Sequence, residues 1–289
     1  MHKYLILALC NLLLFSVAAQ AKQVTLQASE DHVPGQARYL DNGQAQPAIL
    51  ILHGFSATHH YPTVQALQDY FNLSGYTTLA PTLSLQIPLR SQPVQCNSLH
   101  THTLQQDIAE VSAWIGWLEQ QGHNQIILIG HSSGSQTLLE AMIPHAPQSV
   151  KALILTSLFY LSGDELGSLE SEIQLAQDLL KQGQNAPRKF NFLFCQSDYL
   201  ATPESYLSYL SITRARVIET INQLNIPSYS LMGSADTRYN QVGETWLNEL
   251  NTSQTELRII KGANHFFTGE HEGQLHDQVE AIINQIILK

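Results

Sequence analysis

The 289-residue sequence is poor in charge, since only 13% of its residues are Asp, Glu, Lys or Arg. Its apolar content is an ordinary 44%, so a disordered chain, which combines low hydrophobicity with high charge, is not expected. Basic residues are the scarcer kind, 14 against 24 acidic ones, and they form no run. The net charge of −10 therefore argues against nucleic acid or an anionic membrane surface as a partner.

Long hydrophobic runs are also missing, apart from residues 4–17 near the N-terminus. That run is too short to span a bilayer comfortably. It follows His2 and Lys3 and precedes Ala19-Gln20-Ala21, a small-residue cleavage pattern. Residues 1–21 are thus predicted to be a removed signal peptide rather than a stable membrane anchor, which implies a secreted or periplasmic protein.

Cysteine is scarce, with three in the whole sequence. Cleavage after Ala21 would remove Cys10 and leave Cys96 and Cys195 in an oxidising compartment, where a disulfide is the default expectation. Cys96 lies in a loop and Cys195 in a segment predicted to cover that loop. The alternative is two unrelated buried thiols.

The most informative stretch is 125–134, where a run of Ile and Leu ends in Gly130-His131-Ser132-Ser133-Gly134. The run is typical of a strand buried on both faces, and a helical pattern begins after it. Strand, tight turn and helix around Gly-x-Ser-x-Gly predict a nucleophile elbow with Ser132 at its tip. The alternative is an ordinary strand-to-helix loop with two glycines.

A second doubly buried strand, residues 48–52, ends in His53-Gly54-Phe55. In acyl-transfer enzymes of this build, the turn at this place donates a backbone N–H to the oxyanion hole. We therefore expect the N–H groups of Phe55 and Ser133 to face the developing oxyanion. By itself His-Gly-Phe is equally compatible with a plain strand-ending turn.

Asp236 and His265 each follow a predicted strand, and the carboxyl ends of parallel strands meet at one sheet edge. Along the sequence, Ser132, Asp236 and His265 follow the order nucleophile, acid, base. His265 would then accept the proton of Ser132 and pass it to the leaving group, and Asp236 would orient the imidazole. Asp164 is an alternative acid because it follows the preceding strand. Three other histidines are not expected to be the base: His131 should point away from its neighbour Ser132, and His271 and His276 should be solvated.

The strand–helix alternation breaks at residues 161–226, which are mostly helical in pattern and too long for a simple crossover. They are predicted to be an inserted cap on a core formed by residues 22–160 and 227–289. His100 and His102 are spaced like a metal-ligand pair, but no third ligand lies nearby, so a polar loop role is preferred. We expect no metal and no other cofactor.

Together the motifs resemble those of α/β-hydrolases over nearly all of the mature chain. The matching motifs are His53-Gly54-Phe55, Gly130-His131-Ser132-Ser133-Gly134, Gly233-x-x-Asp236 and Asn264-His265-Phe266. The likeness is to the capped esterase, lipase and serine-aminopeptidase-like branch, and residues 83–102 resemble secreted bacterial hydrolases of unassigned substrate. The His-Gly-Gly-Gly motif of hormone-sensitive-lipase-like esterases is missing.

This resemblance implies an α/β-hydrolase fold: a mostly parallel central sheet with helices on both faces and an inserted, mainly helical cap. It also implies a serine hydrolase acting on a small-molecule ester through an acyl-enzyme intermediate. A peptidase or amidase of the serine-aminopeptidase type is the alternative, and a non-catalytic binding module with this fold is a second. The sequence carries no indication of the oligomeric state.

Overall fold

The computed structural model describes residues 21–288, so the predicted signal peptide (residues 1–21) lies outside the described residues except for Ala21. Ten strands and nine α-helices occur in the described range. In chain order they are β1 (Lys22–Leu26), β2 (Gly35–Leu40), β3 (Ala48–Leu52), α1 (Pro62–Leu73), β4 (Thr78–Thr82), α2 (Leu104–Gln120), β5 (Ile126–His131), α3 (Ser133–Ala141), β6 (Val150–Thr156), α4 (Glu170–Lys181), β7 (Arg188–Phe192), β8 (Cys195–Ala201), α5 (Pro203–Leu210), α6 (Arg214–Gln223), β9 (Ser228–Gly233), α7 (Thr237–Val242), α8 (Glu244–Thr252), β10 (Thr255–Ile260) and α9 (Glu270–Ile287).

Eight strands form one sheet in the order β1-β2-β4-β3-β5-β6-β9-β10. The six strands from β4 to β10 run parallel, while β2 pairs antiparallel with both β1 and β4. The predicted fold class, a mostly parallel central sheet, is therefore confirmed. Because β3, β5, β6 and β9 are parallel neighbours, their carboxyl ends lie at one edge.

Each central strand is buried on both faces, as its apolar run predicted. Alternate residues of β5 enter different cores: Leu128 joins the side chains of α2 and α3, and Ile127 and Ile129 join those of α1 and α9. Helices thus cover both faces of the sheet, and the polar ends of the strands are left for the site.

Residues 161–226 separate the adjacent parallel strands β6 and β9. They contain a 3₁₀ turn (Asp164–Leu166), helices α4, α5 and α6, and a hairpin of β7 and β8 that the helical pattern did not predict. The apolar residues at every second position of β7 explain the hairpin, because Phe190 and Phe192 are buried on the same side of this strand. Tyr199 of β8 packs against Phe192, with 4.8 Å between the ring centroids.

One expectation about the C-terminal third was wrong. His276, expected to be solvated, is only 8% exposed. Its ring stacks on Tyr70 of α1 at 4.4 Å, so this position of α9 faces the core.

Cys96 and Cys195 are joined by a disulfide, as predicted. Cys96 lies in the loop after β4, and Cys195 is the first residue of β8. Backbone hydrogen bonds continue the attachment: Leu200 N–H donates to Cys96 O at 3.1 Å, and His100 N–H donates to Leu200 O at 2.8 Å. The hairpin of residues 161–226 is thereby fixed to the loop of the core.

None of the helices within residues 21–288 is long and apolar enough to cross a bilayer. Over the same residues, no group of three or more His, Cys, Asp or Glu side chains is arranged to hold a metal ion.

The disulfide gives a stability prediction. Replacing both cysteines by serine should lower the free energy of unfolding by up to about 4–5 kcal/mol, because the bridge closes a long loop in the unfolded chain. Urea unfolding of the mature protein measures the loss, with Cys195→Ser alone as a comparison that opens the same loop. Two free thiols per chain in denatured, unreduced wild-type protein would contradict the bridge.

Candidate active site

Ser132 lies in a strained turn between β5 and α3, with φ 55° and ψ −126°. A non-glycine residue holds such angles only when its surroundings enforce them. A Cβ on Gly134 would come within 2.4 Å of His53 O, and one on Gly130 within 2.5 Å of Ser135 Cα. The two glycines therefore let α3 begin directly against the ends of β3 and β5, with Ser132 between them.

Ser132, His265 and Asp236 form one chain of hydrogen bonds. His265 Nε2 lies 2.9 Å from Ser132 Oγ, and His265 Nδ1 lies 2.7 Å from Asp236 Oδ2. Since a carboxylate only accepts, Nδ1 carries the proton and Nε2 is free to accept from Ser132. All three side chains are buried, with Asp236 fully inaccessible.

Neighbouring groups fix this chain in place. Ser157 Oγ donates to His265 O at 2.7 Å, and Arg238 N–H donates to Asp236 Oδ1 at 2.9 Å. Asp164, the alternative acid, is exposed in the 3₁₀ turn and is not the partner of His265. The geometry therefore brings Asp236, not Asp164, to the imidazole.

His131 stands beside the triad without joining it. Thr156 Oγ1 donates to Gly130 O at 2.9 Å and lies 3.1 Å from His131 Nδ1, so it accepts the Nδ1 proton. Burial holds the pKa of His131 well below its ordinary value, and the charge of Arg238 adds to the effect. His131 is therefore a neutral neighbour, with its ring centroid 5.4 Å from that of His265.

Phe55 and Ser133 lie on either side of Ser132. A Cβ on Gly54 would be 2.9 Å from Ser132 Cβ, which puts the peptide leading into Phe55 against the nucleophile. Ser133 is the first residue of α3, where a backbone N–H has no acceptor within the helix. These are the two positions from which the predicted N–H groups could reach an oxyanion.

Arg90 holds the loop that carries Phe55, a role the sequence did not reveal. The Arg90 side chain is 4% exposed, and its guanidinium donates to Ala57 O at 2.7 Å and to Leu83 O at 2.8 Å. His53 supports the same loop, since its Nε2 accepts from Leu83 N–H at 3.0 Å. Burial lowers the pKa of His53 to about 3, which keeps that nitrogen an acceptor.

A family model for the α/β hydrolase fold matches residues 47–198, more than half of the chain. The chain belongs to the α/β hydrolase fold family. The matched residues include the turn at Phe55 and the elbow at Ser132, and they stop before Asp236 and His265.

Solved structures agree on the fold of this α/β hydrolase. It is similar to Est1E from Butyrivibrio proteoclasticus (17% identity, 92% of this chain and 99% of that one, TM-score 0.64). It is also similar to the α/β hydrolase GrgF from Penicillium sp. sh18 (15% identity, 93% of this chain and 100% of that one, TM-score 0.68). A third similar structure is the Pyrococcus furiosus esterase PF2001 (17% identity, 93% of this chain and 92% of that one, TM-score 0.64). Identities this low establish the fold alone, and a search of curated protein sequences found no significant match.

Two cavities of this hydrolase meet at Gly54 and Phe55. The larger, about 230 Å³, is lined by Ser132, His265 and mainly aromatic side chains; its other lining residues are Gly54, Phe55, Ala57, Tyr61, His131, Phe194, Thr237, Arg238 and Phe266. The smaller, about 30 Å³, lies on the side of Ser133 and Thr137. It has room for a group the size of one or two water molecules.

The far wall of the small cavity includes three polar side chains, those of His102, Asp107 and Tyr209. They continue a chain of hydrogen bonds that begins at the surface: His100 Nε2 to Gln95 O at 3.1 Å, His100 Nδ1 to His102 Nε2 at 3.3 Å, His102 Nδ1 to Tyr209 Oη at 2.6 Å, and Tyr209 Oη to Asp107 Oδ2 at 2.5 Å. The histidines predicted for a polar loop are thus buried in a network.

The carbonyl at the start of this chain fixes every proton in it. Gln95 O can only accept, so neutral His100 carries its proton on Nε2 and accepts on Nδ1 from His102. His102 must then accept from Tyr209, and Tyr209 must accept from a protonated Asp107. Burial also favours the neutral forms of these groups, because it lowers the pKa of His102 to about 3 and raises the pKa of Asp107 to about 8. The small cavity therefore has a neutral polar wall.

This state of Asp107 predicts a pH dependence of stability. An unfolded Asp ionises near pH 4, whereas folded Asp107 holds its proton up to about 8. Between these values folded Asp107 holds a proton that the unfolded chain has lost, so its contribution to stability falls as pH rises, by up to about 1.4 kcal/mol per unit. The side chain of Asp107→Asn can still donate to Tyr209 but does not titrate. The free energy of unfolding of this variant should therefore rise relative to that of wild type between pH 5 and 7.5.

Urea unfolding at several pH values measures the difference between the two proteins. Asp277→Asn, an exposed position on α9, is the control and should follow wild type. Parallel profiles for Asp107→Asn and wild type would show that Asp107 is ionised in the fold.

Proposed function

We propose that this protein is a serine hydrolase that cleaves carboxylic esters through an acyl-enzyme intermediate. The observation that carries the proposal is the hydrogen-bonded chain from Ser132 through His265 to Asp236 at the entrance to an aromatic cavity. The names of similar structures, which include an esterase and a thioesterase domain, support the same class of reaction.

The residues divide the chemistry between them. His265 Nε2 removes the proton of Ser132 as Oγ attacks the ester carbonyl, and Asp236 stabilises the imidazolium that forms. The N–H groups of Phe55 and Ser133 donate to the oxyanion. His265 then protonates the leaving alcohol, and water, deprotonated by His265, releases the acid from Ser132.

An aminopeptidase is less well supported than an esterase. A free peptide N-terminus is an ammonium group, and its recognition in a buried site calls for a carboxylate. Among the described residues, those that line the larger cavity include no Asp or Glu, and the charged side chain is that of Arg238. A non-catalytic binding role is disfavoured too, since it gives no reason for the strained turn at Ser132.

Ser132→Ala should reduce hydrolysis of p-nitrophenyl acetate by several orders of magnitude, as loss of a triad nucleophile does. A fluorophosphonate probe should label wild-type protein but not this variant, because only an activated serine reacts. Ser135→Ala is the matched control, since Ser135 Oγ donates to Thr156 O on the other side of the elbow. A binding module would show neither turnover nor labelling in wild type.

The two candidate acids give a separate prediction. Asp236→Asn should cut kcat strongly, because an amide in place of the carboxylate favours the wrong imidazole tautomer. Asp164→Asn should have little effect on a neutral ester, since Asp164 is exposed. Steady-state kinetics of both variants decides the assignment, and the opposite ranking would transfer the acid to the 3₁₀ turn.

We also propose that the protein acts outside the cytoplasm, in the periplasm or after secretion. The short apolar run with its Ala19-Gln20-Ala21 pattern and the disulfide both support this location. Sequencing the N-terminus of protein recovered from its host compartment tests it, and a chain that starts at Lys22 is the expected result.

A further inference from the structure

Arg238 is a cation inside the larger cavity, and the proposed reaction does not use its side chain. It lines the cavity together with Ser132 and His265. Its backbone N–H is bound to Asp236, so the residue is held at the start of α7 beside the acid. A guanidinium remains charged at neutral pH even where burial lowers its pKa, as it does here.

The ion pairs of the described residues leave Arg238 without a close carboxylate. Six arginines and lysines of residues 21–288 form ion pairs with carboxylates: Arg38, Lys181, Lys189, Arg214, Arg216 and Arg258. Within that same range no carboxylate oxygen lies within 4.0 Å of the Arg238 side chain. The buried guanidinium of Arg90 donates to backbone carbonyls instead, whereas no hydrogen bond of the Arg238 side chain occurs within the described residues. The Arg238 guanidinium can therefore bind an anion that enters the cavity.

The surroundings of Arg238 decide where that anion can sit. An adjoining outer cavity, about 350 Å³, also borders Arg238 and contains Asp164 and Glu165. These carboxylates repel an anion from the outer cavity. The larger cavity around the triad has aromatic walls and a neutral His131, so an anion attached to an apolar body is favoured there.

The triad identifies which half of an ester enters this cavity. His265, which returns the proton to the leaving group, borders the cavity of about 230 Å³. Of the two proposed oxyanion donors, Ser133 borders only the cavity of about 30 Å³ and Phe55 borders both. The position of His265 therefore assigns the alcohol or phenol part to the larger cavity and leaves the smaller one for a short acyl group.

We propose that Arg238 selects esters whose leaving group carries a carboxylate or a similar anion, attached to a short acyl chain. This proposal rests on the proposed serine esterase activity and names its substrate class. Charge-assisted hydrogen bonds to a guanidinium should favour the anionic ester by about 10- to 100-fold in kcat/KM over its neutral counterpart.

The test uses matched pairs of acetate esters with wild-type mature protein. The 2-, 3- and 4-acetoxybenzoates are each compared with the corresponding acetoxybenzamide, which has the same shape and no charge. In Arg238→Met the ratio of kcat/KM for acid over amide should fall by about 10- to 100-fold for at least one isomer. Arg238→Lys should restore part of it, because the cation remains.

Two controls make the ratio specific. Arg188→Met removes an exposed arginine of β7 and should leave the ratio unchanged. Turnover of the amide reports any disturbance of Asp236 or His265, which affects both substrates and cancels in the ratio. A ratio that is the same in wild type and Arg238→Met for all three isomers would overturn the proposal.

A binding measurement separates this proposal from the proposed function. The hydroxybenzoates are titrated by calorimetry into Ser132→Ala and into Ser132→Ala/Arg238→Met, with the hydroxybenzamides as controls. Binding of an acid that depends on Arg238 supports the anion site even if wild-type protein hydrolyses no ester, a result that would refute the esterase alone. Equal binding of acid and amide in both variants would overturn the anion site.

Discussion

The contact between the first turn of α3 and the end of β3 determines the geometry of the site. Gly134 lies so close to His53 O and Leu52 O that any side chain would collide with them. Because of this contact, Ser132 is held at its strained angles and Gly54 lies against it. Ser132 and the proposed oxyanion donors, which follow two separate strands, are thus positioned by one packing interaction, and Arg90 holds the loop in place.

The polar side chains around the site have complementary electrostatic roles. The chain from Gln95 to Asp107 uses each hydrogen bond to orient the next, and it leaves the wall of the small cavity neutral. Arg238 gives the larger cavity a positive wall. The site therefore combines a small neutral pocket on one side with a cation among aromatic rings on the other.

The sequence was informative wherever a residue's role depends on its own strand. Ser132, Asp236 and His265 could be predicted to converge because each follows a parallel strand, and such strands end at one edge. The network of Asp107 and Tyr209 joins residues about a hundred positions apart on helices that the core aligns, so no local pattern reveals it. The β7–β8 hairpin was missed because its alternating phenylalanines lie within a mostly helical segment.

The disulfide connects the β7–β8 hairpin with the polar network beside the small cavity. It fixes β8 to the loop that carries Gln95 and His100, and the backbone of Leu200 pairs with both sides of that loop. The same hairpin brings Phe192 and Phe194 against Phe55, with ring centroids 5.4 Å away in each case. The residues that cover the entrance are therefore anchored through the loop that orders the protonated network. A change in the position of the hairpin would therefore disturb the polar wall of the small cavity and the aromatic wall of the larger one together.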